Sequence, residues 1–413
     1  MTQALRNPPK KDPVARSRQP TRPPGARSRS ALGLTAAAAE GRFELQQCAE
    51  CGTVQYPPRE VCVHCLSEHL PWKPVSPLGS LLVSTTLHHS NDLYFRERLP
   101  WRVGTVRMQA GPSVVAHVHG DLADGDDVRL VLKLDRAGQA VMLALPTEST
   151  PNMEDDKILR ETACDPKLRR ALVTDGKSAV GMAVTQALLD AGATEVILGD
   201  PQLWRKVPAF EKLAADPRIK VVPLDVTDTD SLERAAGEYG GKVEILVNTA
   251  DMEREGGLLH ARDVNTARNL FDINVLGMMR LAHAFGPALC ARAADGTRNA
   301  VAWVNVLSIY AQMNLPARAV WSASKAAALS LAQGLRAEMR PSGVRVLNVF
   351  PGPLDHEWEQ LTPPPRVAPK AVAQAIVGAL KDGLEEVYVG DVAKEFRERL
   401  AENPKGLERE LGA

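Results

Sequence analysis

Apolar positions along this chain change period once, near residue 169, and the change divides it into two kinds of architecture. Before that point the apolar stretches are short and alternating or β-rich: Ser80–Leu87, Val103–Met108, Val114–Val118, Val128–Leu134 and Ala140–Leu145. Glycine- and aspartate-bearing turns separate them, which predicts a small all-β barrel over residues 76–146. After it, strand-like runs alternate with helical periodicity. Strands are expected at Ala171–Thr174, Val196–Leu198, Val221–Leu224, Ile245–Asn248, Val301–Val306, Val344–Phe350 and Val387–Val389. Regular β–α alternation with short loops predicts a doubly wound parallel sheet of the Rossmann type over residues 169–413.

Two stretches lack either period. Residues 1–40 carry Arg6, Lys10, Lys11, Arg16, Arg18, Arg22, Arg27 and Arg29 against two acids, Asp12 and, at the end, Glu40, with prolines interspersed. Such a segment buries too little surface to offset its chain entropy and reads as a disordered basic tail. Residues 147–168, with Pro151, Asp155 and Asp156, read as a linker.

Composition narrows the class. The 413 residues are 44% hydrophobic and 24% charged, as in a globular protein of more than one domain. No apolar run reaches the roughly 20 residues of a membrane span, and the N-terminus lacks a signal-peptide core, so the expected location is cytoplasmic. A formal net charge of zero argues against a large nucleic-acid footprint.

Four of the six cysteines fall in Cys48-Ala-Glu-Cys51-Gly52 and Cys62-Val-His-Cys65, two CxxC pairs ten residues apart. Two residues between thiols let one turn aim both sulfurs at a single ion, and four thiolates suit tetrahedral zinc with no open position. The ion would then be structural, contributing roughly 10–16 kcal/mol of folding free energy to a segment with little core of its own. Iron in the same cage, or two disulfides, are the competing readings. His64 and His69 lie close in sequence but are not needed as ligands.

The cysteine pairs, the intervening Tyr56-Pro57-Pro58-Arg59 and the β-rich unit after them resemble one family over residues 41–146. It is the group catalogued as domain of unknown function thirty-five, a rubredoxin-like zinc ribbon (41–75) followed by an OB-fold (76–146). The resemblance implies partnership with a thiolase-like enzyme and acyl-CoA. OB-folds also bind nucleic acid. Here, however, seven bases (Arg96, Arg98, Arg102, Arg107, Arg129, Lys133, Arg136) meet seven acids, without the basic excess of a phosphate-tracking groove. Tyr94-Phe95-Arg96-Glu97-Arg98 with Trp101-Arg102 is the one local patch that suits phosphates or a partner.

Residues 169–413 resemble the short-chain dehydrogenase/reductase family. Thr174-Asp175-Gly176-Lys177-Ser178-Ala179-Val180-Gly181 stands where that family carries TGxxxGxG. The resemblance gives Thr174, Gly176 and Gly181 a place beside the cofactor pyrophosphate, while Asp175 and Ala179 depart from the pattern. It makes Asp200 the acceptor of the adenosine-ribose hydroxyls, which favours NAD over NADP. It places Asp225-Val226 at the adenine, Pro351-Gly352 at the nicotinamide, and Asn248-Thr249-Ala250-Asp251 where Asn-Asn-Ala-Gly is usual. Asn274, Ser308 and Lys325 match the family's catalytic asparagine, serine and lysine. Trp321 occupies the tyrosine position, thirteen residues after Ser308 and four before Lys325. An indole N–H donates but does not titrate, so it cannot exchange a proton with a substrate oxygen. Tyr310, His260 and His356 are the weaker substitutes for that phenol.

Three functions follow as expectations. The first is an auxiliary or scaffold protein of acyl-CoA metabolism, its ribbon–OB half docking a thiolase-like enzyme or acyl-CoA and its dehydrogenase half catalytically weakened. The second is an active NAD-dependent oxidoreductase on a 3-hydroxyacyl- or 3-oxoacyl-CoA, the third nucleic-acid binding through the OB unit. Pairing through the long helices that carry Asn274 and Trp321 would make the protein a homo-oligomer.

Overall fold

In the computed structural model the described residues are 2–8, 19–25, 27–259, 264–294, 299–355 and 365–412. They form two units, one built on Thr21–Asp165 and the other on Pro166–Lys381 and Glu385–Ala413.

The first unit starts with helix α1 (Leu32–Ala39) and a three-stranded antiparallel sheet, β1 (Glu44–Gln47) between β2 (Val54–Gln55) and β3 (Trp72–Pro74). A closed five-stranded barrel follows: β4 (Leu78–Leu87), β5 (Trp101–Met108), β6 (Ser113–Val118), β7 (Asp127–Leu134) and β8 (Ala140–Pro146), in the order β4-β5-β6-β8-β7, with the one-turn helix α2 (Leu93–Arg96) between β4 and β5. Alternation along β7 is visible in its burial, with Val128, Leu130 and Leu132 inside. These residues share one core with Leu81, Val106, Val114 and Val118, with Leu45 of the small sheet, and with Leu34, Ala37 and Ala38 of α1.

Both stretches expected to lack structure carry some. Helix α1 falls inside the segment read as a tail. Its alanines let it lie close to the barrel, and Gly33 packs where any Cβ would collide with the Trp72 ring. Farther upstream, Thr2 bonds Asp121 and the Leu5 N–H bonds Asp155. The basic count hid these local contacts. The stretch read as a linker holds helix α3 (Lys157–Thr162), capped by Asp156, whose Ile158 packs on Trp101, Leu143 and Leu145.

The second unit is a seven-stranded parallel sheet. Its strands are β9 (Arg170–Val173), β10 (Glu195–Asp200), β11 (Ile219–Pro223), β12 (Ile245–Asn248), β13 (Ala302–Val306), β14 (Arg345–Pro351) and β15 (Glu386–Val389). The order β11-β10-β9-β12-β13-β14-β15 reverses between β9 and β12, the topological switch point of a doubly wound fold. Every strand expected from the periodicity is present, displaced by at most a few residues. Helices α4 (Ala179–Asp190), α5 (Pro208–Ala214) and α6 (Thr229–Tyr239) follow β9, β10 and β11. Helices α7 (Asn265–Phe271) and α8 (Gly277–Arg292) are joined without a break by a π-helical turn, Asp272–Leu276. The long helix α9 (Ala319–Met339) and the C-terminal α10 (Pro369–Asp382) and α11 (Asp391–Glu402) complete the part that matters for the site.

Candidate functional site

Both cysteine knuckles close in the same way. The Gly52 N–H donates to the Cys48 carbonyl at 3.0 Å and the Leu66 N–H to the Cys62 carbonyl at 3.1 Å. Gly52 and Leu66 both have left-handed backbone, with φ of 73° and 63°. The four sulfurs lie within 4.8 Å of one another, with Cys48–Cys65 and Cys51–Cys62 each 3.5 Å apart. A disulfide needs about 2.05 Å, whereas tetrahedral zinc at about 2.3 Å spaces its sulfurs by roughly 3.8 Å. The donor set therefore fits one structural zinc ion. His69 lies against Glu50 instead, at 3.4 Å, and His64 is exposed and outside the set.

On the barrel, the patch singled out for phosphates is largely consumed internally. Tyr94 and Trp101 are buried, and the Trp101 Nε1–H donates to His117 Nδ1 at 2.9 Å. Arg98 stacks on Tyr94 at 3.9 Å and pairs with Glu161, which also holds Arg136 at 2.9 Å. Arg102 donates to the Ser84 hydroxyl and the Leu122 carbonyl. These cations are committed to the fold and do not form a phosphate-tracking groove; among the patch's bases only Arg96 is classed as exposed.

In the Rossmann unit, β9 delivers Thr174 and the loop to α4. The Thr174 hydroxyl donates to Asn248 Oδ1 at 3.0 Å and accepts from the Thr249 and Ala250 N–H groups, tying that loop to the end of β12. Ser178 caps α4 by accepting from the Gly181 N–H at 3.0 Å. Gly181 is required there, because a Cβ would sit 1.7 Å from the Asp175 carbonyl oxygen. Asp175 points inward. Its carboxylate accepts from the Lys177 and Ser178 N–H groups at 3.1 and 3.2 Å, and burial pushes it up to about 6. Two backbone donors just before α4 thus already face a carboxylate.

Asp200, at the end of β10, is equally engaged. One oxygen accepts from the Gln202 N–H at 2.9 Å; the other lies 2.8 Å from the Lys177 ammonium. Lys177 also donates to the carbonyls of Gln202 and Arg205, each at 2.6 Å, so its three protons are all placed. The pairing of Lys177 with Asp200 is what the sequence reading missed. The NAD preference read from Asp200 assumes a free carboxylate, and the ion pair balances that charge. Asp225 forms a strand-end turn with Thr227, and Val226 is buried in the core. Gly352, after β14, bonds the Val389 carbonyl, closing the end of the sheet beside Pro351.

Asn274 sits in the π-helical turn, whose extra residue per turn lets its side chain face two elements. It accepts from the Met252 N–H at 2.9 Å and donates to the Met252 carbonyl and to Ser324 of α9. Trp321 and Lys325, one helical turn apart on α9, are 4% and 2% exposed. Asp251 bridges them. One carboxylate oxygen lies 2.9 Å from Lys325 Nζ and the other accepts from Trp321 Nε1 at 3.3 Å. The same loop is anchored again by Arg318, which pairs with Glu253 and, at 3.4 Å, with Glu255. Acids at positions 251, 253 and 255 thereby meet Lys325 and Trp321 on α9 and Arg318 at its N-cap. Ser308 lies two residues past β13 and caps the following turn, its hydroxyl accepting from the Tyr310 N–H at 3.3 Å. Tyr310 lies in an apolar cluster with Trp321 and Phe396, at ring separations of 6.1 and 5.6 Å. His260 and His356 lie outside the described residues. No described helix is long and apolar enough to cross a membrane.

Comparison with known proteins agrees with this division. Residues 169–364 match the short chain dehydrogenase family model. Residues 35–70 match the ChsH2 rubredoxin-like zinc ribbon domain, and residues 72–133 the ChsH2 C-terminal OB-fold domain. An uncharacterized oxidoreductase of Staphylococcus aureus (strain N315) is 27% identical over 220 residues, covering 51% of this chain and 90% of its own. One from Staphylococcus haemolyticus is 28% identical over 218 residues, with the same coverage. A short chain dehydrogenase from Burkholderia cenocepacia, solved in complex with NADP, is 36% identical. It superposes with a TM-score of 0.53, covering 60% of this chain and 98% of its own.

Proposed function

The chain belongs to the short-chain dehydrogenase family, joined to ChsH2-type zinc-ribbon and OB-fold domains, and on that footing we propose that it is an auxiliary or scaffold protein of acyl-CoA metabolism whose dehydrogenase fold no longer transfers hydride. In this reading the ribbon–OB unit docks a thiolase-like enzyme or acyl-CoA.

The observation that carries the proposal is the Asp251 bridge between Trp321 and Lys325. In the family's scheme a lysine steadies the ribose and lowers the pKa of a tyrosine, which exchanges a proton with the substrate oxygen. Here the ammonium is matched to a carboxylate of the chain itself, and the residue beside it has no titratable proton. The Asp175 carboxylate on the loop donors and the Lys177–Asp200 pair act in the same sense, since a dinucleotide would displace both. The residues as arranged do not fit a bound dinucleotide.

Titration with NADH of the wild type, Trp321→Tyr, Asp251→Gly and the double variant tests this, with a 3-hydroxyacyl-CoA oxidation assay on each. The wild type is expected to show neither saturable binding at millimolar cofactor nor turnover. Oxidation of the hydroxyacyl-CoA by wild type with NAD at an ordinary enzymatic rate would overturn the proposal and restore the oxidoreductase reading, which Asn274, Ser308 and Lys325 would then serve.

A further inference from the structure

The two zinc knuckles supply an internal comparison. They share the same turn, yet the position after the second cysteine is Gly52 in one and Leu66 in the other. Glycine takes left-handed backbone freely, whereas a Cβ-bearing residue is strained there. Strain of this kind is usually offset by burial, but Leu66 is 73% exposed, and its neighbours Val63 and Val61 are 57% and 39% exposed. Folding of the ribbon therefore asks for glycine at 66 and gains almost nothing from leucine.

The surroundings of this apolar tip are acidic. Glu60 and Glu68 flank it in sequence, and Glu50 stands next to Cys51, whose sulfur lies 3.5 Å from that of Cys62. All three acids are exposed, as are Arg59, His64 and His69, the last lying 3.4 Å from Glu50. Four thiolates around one divalent ion add a further net negative charge beneath the surface. A nucleic acid or the phosphates of a coenzyme would be repelled from this face. A protein groove with an apolar floor and a basic rim would be complementary.

We infer that the second zinc knuckle, Val61, Val63 and Leu66 within the rim of Glu50, Glu60 and Glu68, is the surface by which the ribbon docks into a basic-rimmed apolar groove of its partner protein. The inference rests on the scaffold reading and assigns the surface that reading requires.

The test uses the full zinc-loaded chain and a purified thiolase-like enzyme as probe. Leu66→Gly, Val63→Glu and the pair Glu60→Lys with Glu68→Lys are compared with wild type for zinc content, thermal unfolding and binding by calorimetry at two salt concentrations. Leu66→Gly is expected to raise the melting temperature by a few degrees while weakening binding at least tenfold. The charge-reversed pair is expected to bind weakly and to lose most of the salt dependence. If Leu66→Gly melts lower or loses zinc, the leucine is structural and the inference falls. If the wild type binds and the variants bind equally well, the inference falls while the scaffold reading stands. If the wild type does not bind, both fall.

Discussion

The ammonium of Lys325 lies 2.9 Å from the carboxylate of Asp251, and at 2% exposure it has little water to turn to. Removing the acid would leave a buried cation unpaired. Asp251→Ala is therefore expected to destabilise the Rossmann unit by about 2 kcal/mol, less than the 3–5 of a fully buried pair because Asp251 is partly exposed. Asp251→Asn, which can still accept from Trp321, should cost less. Chemical denaturation followed by tryptophan fluorescence checks the order.

Asp175 gives the protein a pH signature. Burial raises its carboxyl from 3.8 to about 6. A group whose folded value is raised gives the fold its full support below the unfolded value, and that support is lost as pH rises through 6. Asp175→Asn should accordingly stabilise the protein by up to about 3 kcal/mol at pH 8 and by roughly half that at pH 5. Equal stabilisation at both pH values would show that the carboxyl titrates normally.

His117 works the other way. Burial lowers it from 6.5 to about 4, and its Nδ1 accepts from the Trp101 indole, a bond that needs the neutral ring. The stability it contributes is complete above pH 6.5 and declines as pH falls toward 4, by about 3 kcal/mol in all. His117→Gln should flatten this part of the barrel's stability profile, with zinc release followed separately by a metal-sensitive dye.

Zinc removal should act locally. Chelation, or Cys48→Ser, is expected to expose the Leu45 and Gln46 amides of the three-stranded sheet to hydrogen exchange, since β2 pairs with β1 through two residues and β3 through three. Protection of those amides in the metal-free protein would show that the barrel core alone supports the ribbon.

Periodicity in the sequence was enough to place the barrel strands and the parallel sheet, because each period records which face of a strand or helix is buried. CxxC spacing likewise announced the metal cage, since ligand geometry is set locally by one turn. Alanine-rich α1 and the capped helix α3 were not legible. Their stability comes from the surface they lie on rather than from a pattern of their own.

The tryptophan at 321 was visible in the sequence, as was the aspartate at 251, but only as separate departures from a family pattern. The fold alone brings the two together, because the loop after β12 lays the Asp251 carboxylate against Trp321 and Lys325 of α9. The same holds for Lys177 and Asp200, twenty-three residues apart in the chain and 2.8 Å apart in space. Sequence determines which charges are present and which face each element buries. Whether a charge meets water, a ligand or another residue of the chain is decided by the packing of distant segments, since Coulomb and desolvation energies depend on distance and burial rather than on order along the chain.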